Sequence, residues 1–209
     1  MIIADVATPD GDARLWTDEA DDPWLRLVLG HGAGGGPRSR DLAALAERLP
    51  SAGISVIRVE QPWRVAEKKI APRPEVLDRA WLAVLDSVAR DLPVAVGGRS
   101  AGARVACRTA KQVDAIAVVS LAFPLHPPGK PERSRFAELA DAGVPTLVVQ
   151  GARDPFGHPE EFPAGSHRVV AVPHADHALA VPKSQNQSAV LAGVAQAVRS
   201  WLVSTVSTA

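Results

Sequence analysis

Short apolar runs rich in β-branched residues alternate along this chain with segments whose apolar residues recur every three or four positions. Residues 25–29, 54–59, 94–96, 115–123, 146–150 and 167–172 read as strands. Leu42, Leu45, Ala46 and Leu49 make one helical face, and Leu77, Trp81, Val84 and Val88 another. Residues 101–111 and 132–142 read as further helices, and Val190, Leu191, Val194, Val198, Trp201 and Leu202 share a face of a last one. Such alternation predicts βαβ units: a mainly parallel sheet with helices on both faces, the α/β class. A length of 209 residues suits one domain spanning 1–209. Its first 24 residues stand apart. Two apolar-leaning runs, 1–7 and 13–17, flank Thr8-Pro9-Asp10-Gly11-Asp12, so an N-terminal antiparallel hairpin and lead-in are expected there.

Charge excludes some functions. Lys plus Arg is 23 and Asp plus Glu is 23, which removes the basic excess that nucleic-acid and membrane-surface binders need. Cys107 is the single cysteine, so an internal disulfide and thiolate-rich zinc sites are excluded. The six histidines make no H-x-x-x-H pattern and no cluster beyond His174 and His177, so neither metal nor cofactor is expected. Residues 1–15 carry Asp5, Asp10 and Asp12 and lack the apolar run of a signal peptide. No stretch approaches the roughly 18–20 apolar residues of a membrane span. The expected compartment is the cytoplasm. Oligomeric state is left open.

The chemistry is concentrated in loops that follow strands. Gly98-Arg99-Ser100-Ala101-Gly102 matches G-x-S-x-G between a strand and a helix. A serine held on that sharp turn is lifted to the top of the sheet as a nucleophile. It needs a base, and the base needs a carboxylate to orient it; where the serine sits on an elbow of this kind, the chain order is Ser, Asp or Glu, His. Asp154 follows the strand at 146–150. His174 and His177 follow the strand at 167–172. His177 is favoured as base because it adjoins an apolar segment that can hold its ring. Gly30-His31-Gly32-Ala33-Gly34-Gly35-Gly36 offers small residues whose N–H groups can approach a developing oxyanion. Ala33, or Gly34, together with Ala101 supplies the donor pair. Arg99 either binds an anionic substrate group or pairs with a neighbouring acid or carbonyl. His126, in the proline-rich run 124–131, is a candidate for the cleft wall, and Gly34 for substrate contact. Cys107 reads as a small core residue.

A rival reading uses the same glycines. Gly30, Gly32 and Gly35 spell G-x-G-x-x-G after a strand, and Glu60 ends the next strand, as in a dinucleotide-binding fold. A hairpin precedes the strand, Gly36 and Pro37 occupy the expected helix start, and the Ser100, Asp154 and His177 placements become coincidence. The serine-nucleophile reading is therefore preferred.

Five segments carry a resemblance: residues 31–34, 97–106, 123–131, 150–157 and Asp176-His177. With them the chain resembles the α/β-hydrolase superfamily near the dienelactone-hydrolase-like proteins. More narrowly it resembles the small Tex-type and NSL-subunit-like family. The proline-rich and Arg153-Asp154-Pro155-Phe156-Gly157 segments are the most specific. The resemblance covers the chain from about residue 25 onward. Where the family often has Met-Gly-Gly after the serine, this chain has Ala101-Gly102-Ala103, which keeps the residues small. It implies a single-domain hydrolase sheet of eight or slightly fewer strands. It also implies a Ser100, Asp154, His177 triad. Separately, the connector from Phe123 to Thr146 is too short for a lid domain. The expected activity is a serine hydrolase of carboxylesterase type acting on a small-molecule ester. Because the narrow family includes subunits of chromatin complexes without established catalysis, the alternative is a non-catalytic hydrolase-like interaction or ligand-sensing module.

Overall fold

The computed structural model describes residues 1–206. Eight strands form one sheet: β1 (Ile2–Thr8), β2 (Gly11–Asp18), β3 (Leu25–Gly30), β4 (Ile54–Glu60), β5 (Val94–Arg99), β6 (Val118–Leu121), β7 (Thr146–Gly151) and β8 (His167–Val172). Their spatial order is β1-β2-β4-β3-β5-β6-β7-β8. β1 and β2 pair antiparallel, as do β2 and β4; from β4 through β3 to β8 every pairing is parallel. The hairpin expected at the N-terminus is present and extends the sheet. Thr8 closes it by donating its hydroxyl to the Gly11 carbonyl at 2.6 Å.

Period-two alternation sorts each strand between two cores. On one face Val28, Val96, Val118 and Val148 pack with Leu77, Trp81 and Val84 of α3 (Pro74–Ser87) and Val105 and Ala106 of α4 (Ala101–Thr109). Between β4 and α3 lies the single-turn α2 (Pro62–Val65), which the sequence reading does not contain. On the other face Leu27, Leu29, Val119, Leu147 and Val149 meet Leu42, Leu45 and Leu49 around α1 (Arg40–Arg48), and Val194, Val198, Trp201 and Leu202 of the terminal helix. That helix, Gln187–Val206, follows the short α5 (Phe136–Ala140) and is α6. By length and composition α6 could cross a membrane, which the search for apolar stretches did not anticipate; one of its faces packs on the sheet.

Three boundaries differ from expectation. The strand read over 115–123 shrinks to Val118–Leu121, because Ala115 hydrogen-bonds back to Ala110 and Ala122 takes φ +47° to leave the sheet. The helix read over 132–142 shrinks to Phe136–Ala140, because the Arg135 N–H is drawn to the Leu125 carbonyl at 2.7 Å. The helix read over 101–111 ends at Thr109 and tightens into a 3-10 turn over Ala110–Val113.

The chain leaves β3, moves outward to β4, then crosses back over β3 to β5. Loops leaving the carboxyl ends of β3 and β5 diverge at that reversal and open a crevice, the place where parallel sheets build sites. The chain from β6 to β7 has room only for α5 and turns, not for a lid domain.

Candidate active site

Ser100 sits between β5 and α4 with φ +53° and ψ −110°. A conformation this rare for a residue with a side chain stores roughly 1–3 kcal/mol and persists only where the surroundings impose it. They do so here. The Ser100 N–H is held by the Leu121 carbonyl at 3.0 Å, and α4 is pressed onto β3. A Cβ on Gly98 or Gly102 would stand 2.4 or 2.3 Å from the Gly30 carbonyl oxygen, so only glycine lets the turn close that tightly.

Asp154 leaves β7 in a turn and is fully buried. Its Oδ1 accepts the Phe156 N–H at 2.8 Å, and its Oδ2 accepts the Gln150 side-chain amide at 2.9 Å and His177 Nδ1 at 2.8 Å. His177 Nε2 then lies 3.0 Å from Ser100 Oγ. A carboxylate can only accept, so Nδ1 carries the proton and Nε2 is free to accept from the serine hydroxyl. The Phe156 ring lies against the imidazole with centroids 4.2 Å apart and planes 32° apart, which limits rotation. The loops after β7 and β8 are joined by Ala152 N–H to the Val172 carbonyl and Arg153 N–H to the Ala175 carbonyl, so Asp154 and His177 are set by one backbone arrangement. His174, by contrast, is exposed with φ +62° in the turn, and Asp176 caps the N–H groups of Ala178 and Ala180.

The glycine loop after β3 comes against this array. Ala33, Gly34, Ser100, Ala101 and His177 line one cleft of about 420 Å³. Among the described residues neither the Ala33 nor the Ala101 N–H has a hydrogen-bond partner. His31 tethers the loop from below: it is buried, accepts the Gln61 N–H at 3.2 Å on Nε2, and donates Nδ1 toward the Gly32 carbonyl at 2.9 Å. Burial pushes its pKa below the ordinary histidine value and keeps the ring neutral. Glu60, the acid of the rival dinucleotide reading, accepts the Trp16 indole N–H at 3.2 Å.

Of the two side chains offered as substrate contacts, Arg99 takes its other expected role, pairing with an acid and a carbonyl, and His126 is corrected. The Arg99 guanidinium is occupied within the chain: Nε lies 3.1 Å from Asp41 Oδ2, and Nη2 donates to the His177 carbonyl at 2.8 Å. Asp41 is fully buried, and burial raises its carboxyl pKa against the opposing pull of Arg99. Arg99 thus ties α1 to the loop that carries the base. His126 does not line the cleft. Its Nδ1 faces the Pro127 carbonyl at 2.9 Å and Nε2 faces Glu161 at 3.0 Å; these acceptors, the carbonyl foremost, raise its pKa. It pins the proline-rich connector instead. Burial pushes the Cys107 thiol up to about 12, as an inert core residue requires.

Gln150 escaped sequence reasoning, although a polar residue closing a buried strand is a usable signal. Its amide nitrogen spans Asp154 Oδ2, the Phe123 carbonyl at 3.2 Å and the Gly157 carbonyl at 2.8 Å. Gln150→Leu is expected to lower kcat roughly tenfold or more, since a hydrogen bond to a charged group contributes about 1.5–3 kcal/mol. Steady-state kinetics with a thermal melt as control would check it; unchanged kcat in a folded variant would deny Gln150 a positioning role.

Comparison with known proteins agrees with the fold. Residues 24–203 match the family described as an alpha/beta hydrolase domain. No curated protein matches the sequence significantly. Among solved structures, XC6422 from Xanthomonas campestris, described as an α/β serine hydrolase without a lid, is similar at TM-score 0.77 and 19% identity, over 96% of this chain and 94% of that one. Dienelactone hydrolase from Anabaena variabilis is similar at 0.75 and 21%, over 97% and 96%. Est1E from Butyrivibrio proteoclasticus is similar at 0.72 and 15%, over 98% and 99%.

Proposed function

We propose that this chain, which belongs to the α/β-hydrolase domain family, is a serine hydrolase of the carboxylesterase type acting on small esters. The observation that carries this reading is the continuous line Ser100 Oγ, His177 Nε2, His177 Nδ1, Asp154 Oδ2, with links of 3.0 and 2.8 Å ending on a buried carboxylate. An interaction or ligand-sensing module has no need of that alignment. The serine hydrolase and the dienelactone hydrolase among the similar structures support ester chemistry. The proline-rich and Arg153–Gly157 segments support a place among the small Tex-type and NSL-subunit-like members.

In this mechanism Ser100 Oγ attacks the ester carbonyl carbon while its proton passes to His177 Nε2. Asp154 keeps the proton on Nδ1 and stabilises the imidazolium. The carbonyl oxygen becomes an oxyanion between the N–H groups of Ala33 and Ala101. These donors stand ready before the reaction, so they need little reorganisation as charge appears. The intermediate collapses, and the alcohol leaves with the proton from Nε2. Water, deprotonated by the same nitrogen, then attacks the acyl-serine and releases the acid.

Chain length tests the substrate class. The cleft is open and the connector from β6 to β7 is pinned by Arg135 to Pro124 and by His126 to Glu161. A long acyl chain gains less there than the roughly 0.8 kcal/mol per CH₂ of full burial. Acetyl and butyryl p-nitrophenyl esters should therefore be hydrolysed at least as efficiently as decanoyl ones, with no jump in rate when the long esters form micelles. A kcat/KM that keeps climbing past octanoyl would contradict the open cleft, and absence of turnover on every ester would contradict the esterase reading.

A further inference from the structure

The cleft above Ser100 is walled by Arg99, Arg104 and Arg135 and by no acidic residue. Two of these guanidinium groups are committed within the chain. Arg99 goes to Asp41 and the His177 carbonyl. Arg104 grips Glu138 with Nε at 2.8 Å and Nη2 at 2.5 Å. Glu138 is shared further, because Arg108 Nη1 also donates to it at 2.9 Å, while the rest of the Arg108 fork is held by Asp78. Arg104, Arg108 and Arg135 thus meet two carboxylates, Glu138 and Asp78, and one positive charge is left over.

That charge is on Arg135. Its side chain has one partner among the described residues, the Pro124 carbonyl, to which Nη1 donates at 3.0 Å. It forms no ion pair among them, although it is half-buried. Burial, followed by the nearby positive charge of Arg104, pushes its pKa below the ordinary arginine value, with Glu138 opposing. An anion entering the cleft would supply the counter-charge that offsets both effects. The group is also held in place. The Arg135 backbone N–H bonds the Leu125 carbonyl at 2.7 Å, and the side chain is braced on the proline segment, so little freedom is lost on binding. A planar guanidinium with unused Nε and Nη2 donors matches a carboxylate.

We propose that Arg135 is a substrate-binding residue that receives a carboxylate, so that the preferred esters carry a negative charge on their acyl or alcohol portion. The proposal rests on the esterase reading and names its substrate class. It assigns anion recognition to a residue 36 positions after Arg99, whose guanidinium is already paired within the chain.

Two matched ester pairs test it. On the acyl side, mono-p-nitrophenyl adipate is compared with p-nitrophenyl hexanoate. On the alcohol side, 4-acetoxybenzoate is compared with 4-acetoxybenzamide. In at least one pair the carboxylate member should have about tenfold higher kcat/KM, the size expected of a charge-assisted hydrogen bond. The ratio should shrink as salt is raised, fall close to one in Arg135→Met, and persist in part in Arg135→Lys. The pair showing the preference identifies which side of the ester carries the anion. Equal turnover within both pairs by the unmodified protein would overturn the proposal without any variant. So would a preference that survives Arg135→Met. No hydrolysis of any of the four would instead bring down the esterase reading, and this inference with it.

Discussion

Ser100→Ala is expected to lower kcat on p-nitrophenyl acetate by about a millionfold, to near the rate in buffer, while the protein stays folded. In the proposed mechanism the hydroxyl bonds the acyl carbon, and a methyl cannot replace it. Among the described residues that oxygen has one partner, His177 Nε2 at 3.0 Å. Alanine keeps the Cβ, so the φ +53° turn is no more strained than before, and the Ser100 N–H keeps its bond to Leu121. The measurement is a progress curve beside a thermal melt. Retention of more than about a hundredth of the activity in a folded variant would show that another group is the nucleophile.

Asp154→Asn should lower kcat by about four orders of magnitude. Both carboxylate oxygens face donors: Oδ1 meets the Phe156 N–H, and Oδ2 meets the Gln150 amide and His177 Nδ1. An asparagine must therefore aim its NH₂ at a donor in either orientation. If it faces His177, the ring is forced into the tautomer that places a proton on Nε2, and the serine loses its base. His177→Gln should be similarly damaging. The double variant should lose far less than the product of the two losses, because members of such an array act as a unit. The exposed His174 provides the control, and His174→Gln should cost little. An equal loss there, or additive losses in the double variant, would contradict the assignment.

Much of this was legible in the sequence because local rules and the fold agree. Period-two and period-3.6 patterns located the strands and most helices, since each pattern records which face is buried. G-x-S-x-G located Ser100 because a sharp strand-to-helix turn leaves few residue choices, as Gly98 and Gly102 against Gly30 demonstrate. Asp154 and His177 were legible as residues just beyond strand ends. What was not legible depends on contacts between distant parts of the chain. The helix read over 132–142 lost its first turn to a bond between Arg135 and Leu125, a pairing no periodicity encodes. Arg99 was placed at the elbow and His126 on the proline-rich connector, but their partners, Asp41 and Glu161, lie 58 and 35 positions away. Gln150 and Phe156 stood inside a segment marked by resemblance, yet their work on Asp154 and His177 becomes apparent only once the turn after β7 is closed.

The central claim is that Ser100 is a nucleophile activated by His177. It is tested most directly by treating the protein with a fluorophosphonate and locating the adduct by mass spectrometry. The account predicts one adduct, on the peptide containing Ser100, absent in Ser100→Ala and formed much more slowly in His177→Gln. An adduct on another residue, or none under conditions that label an active serine hydrolase, would contradict it.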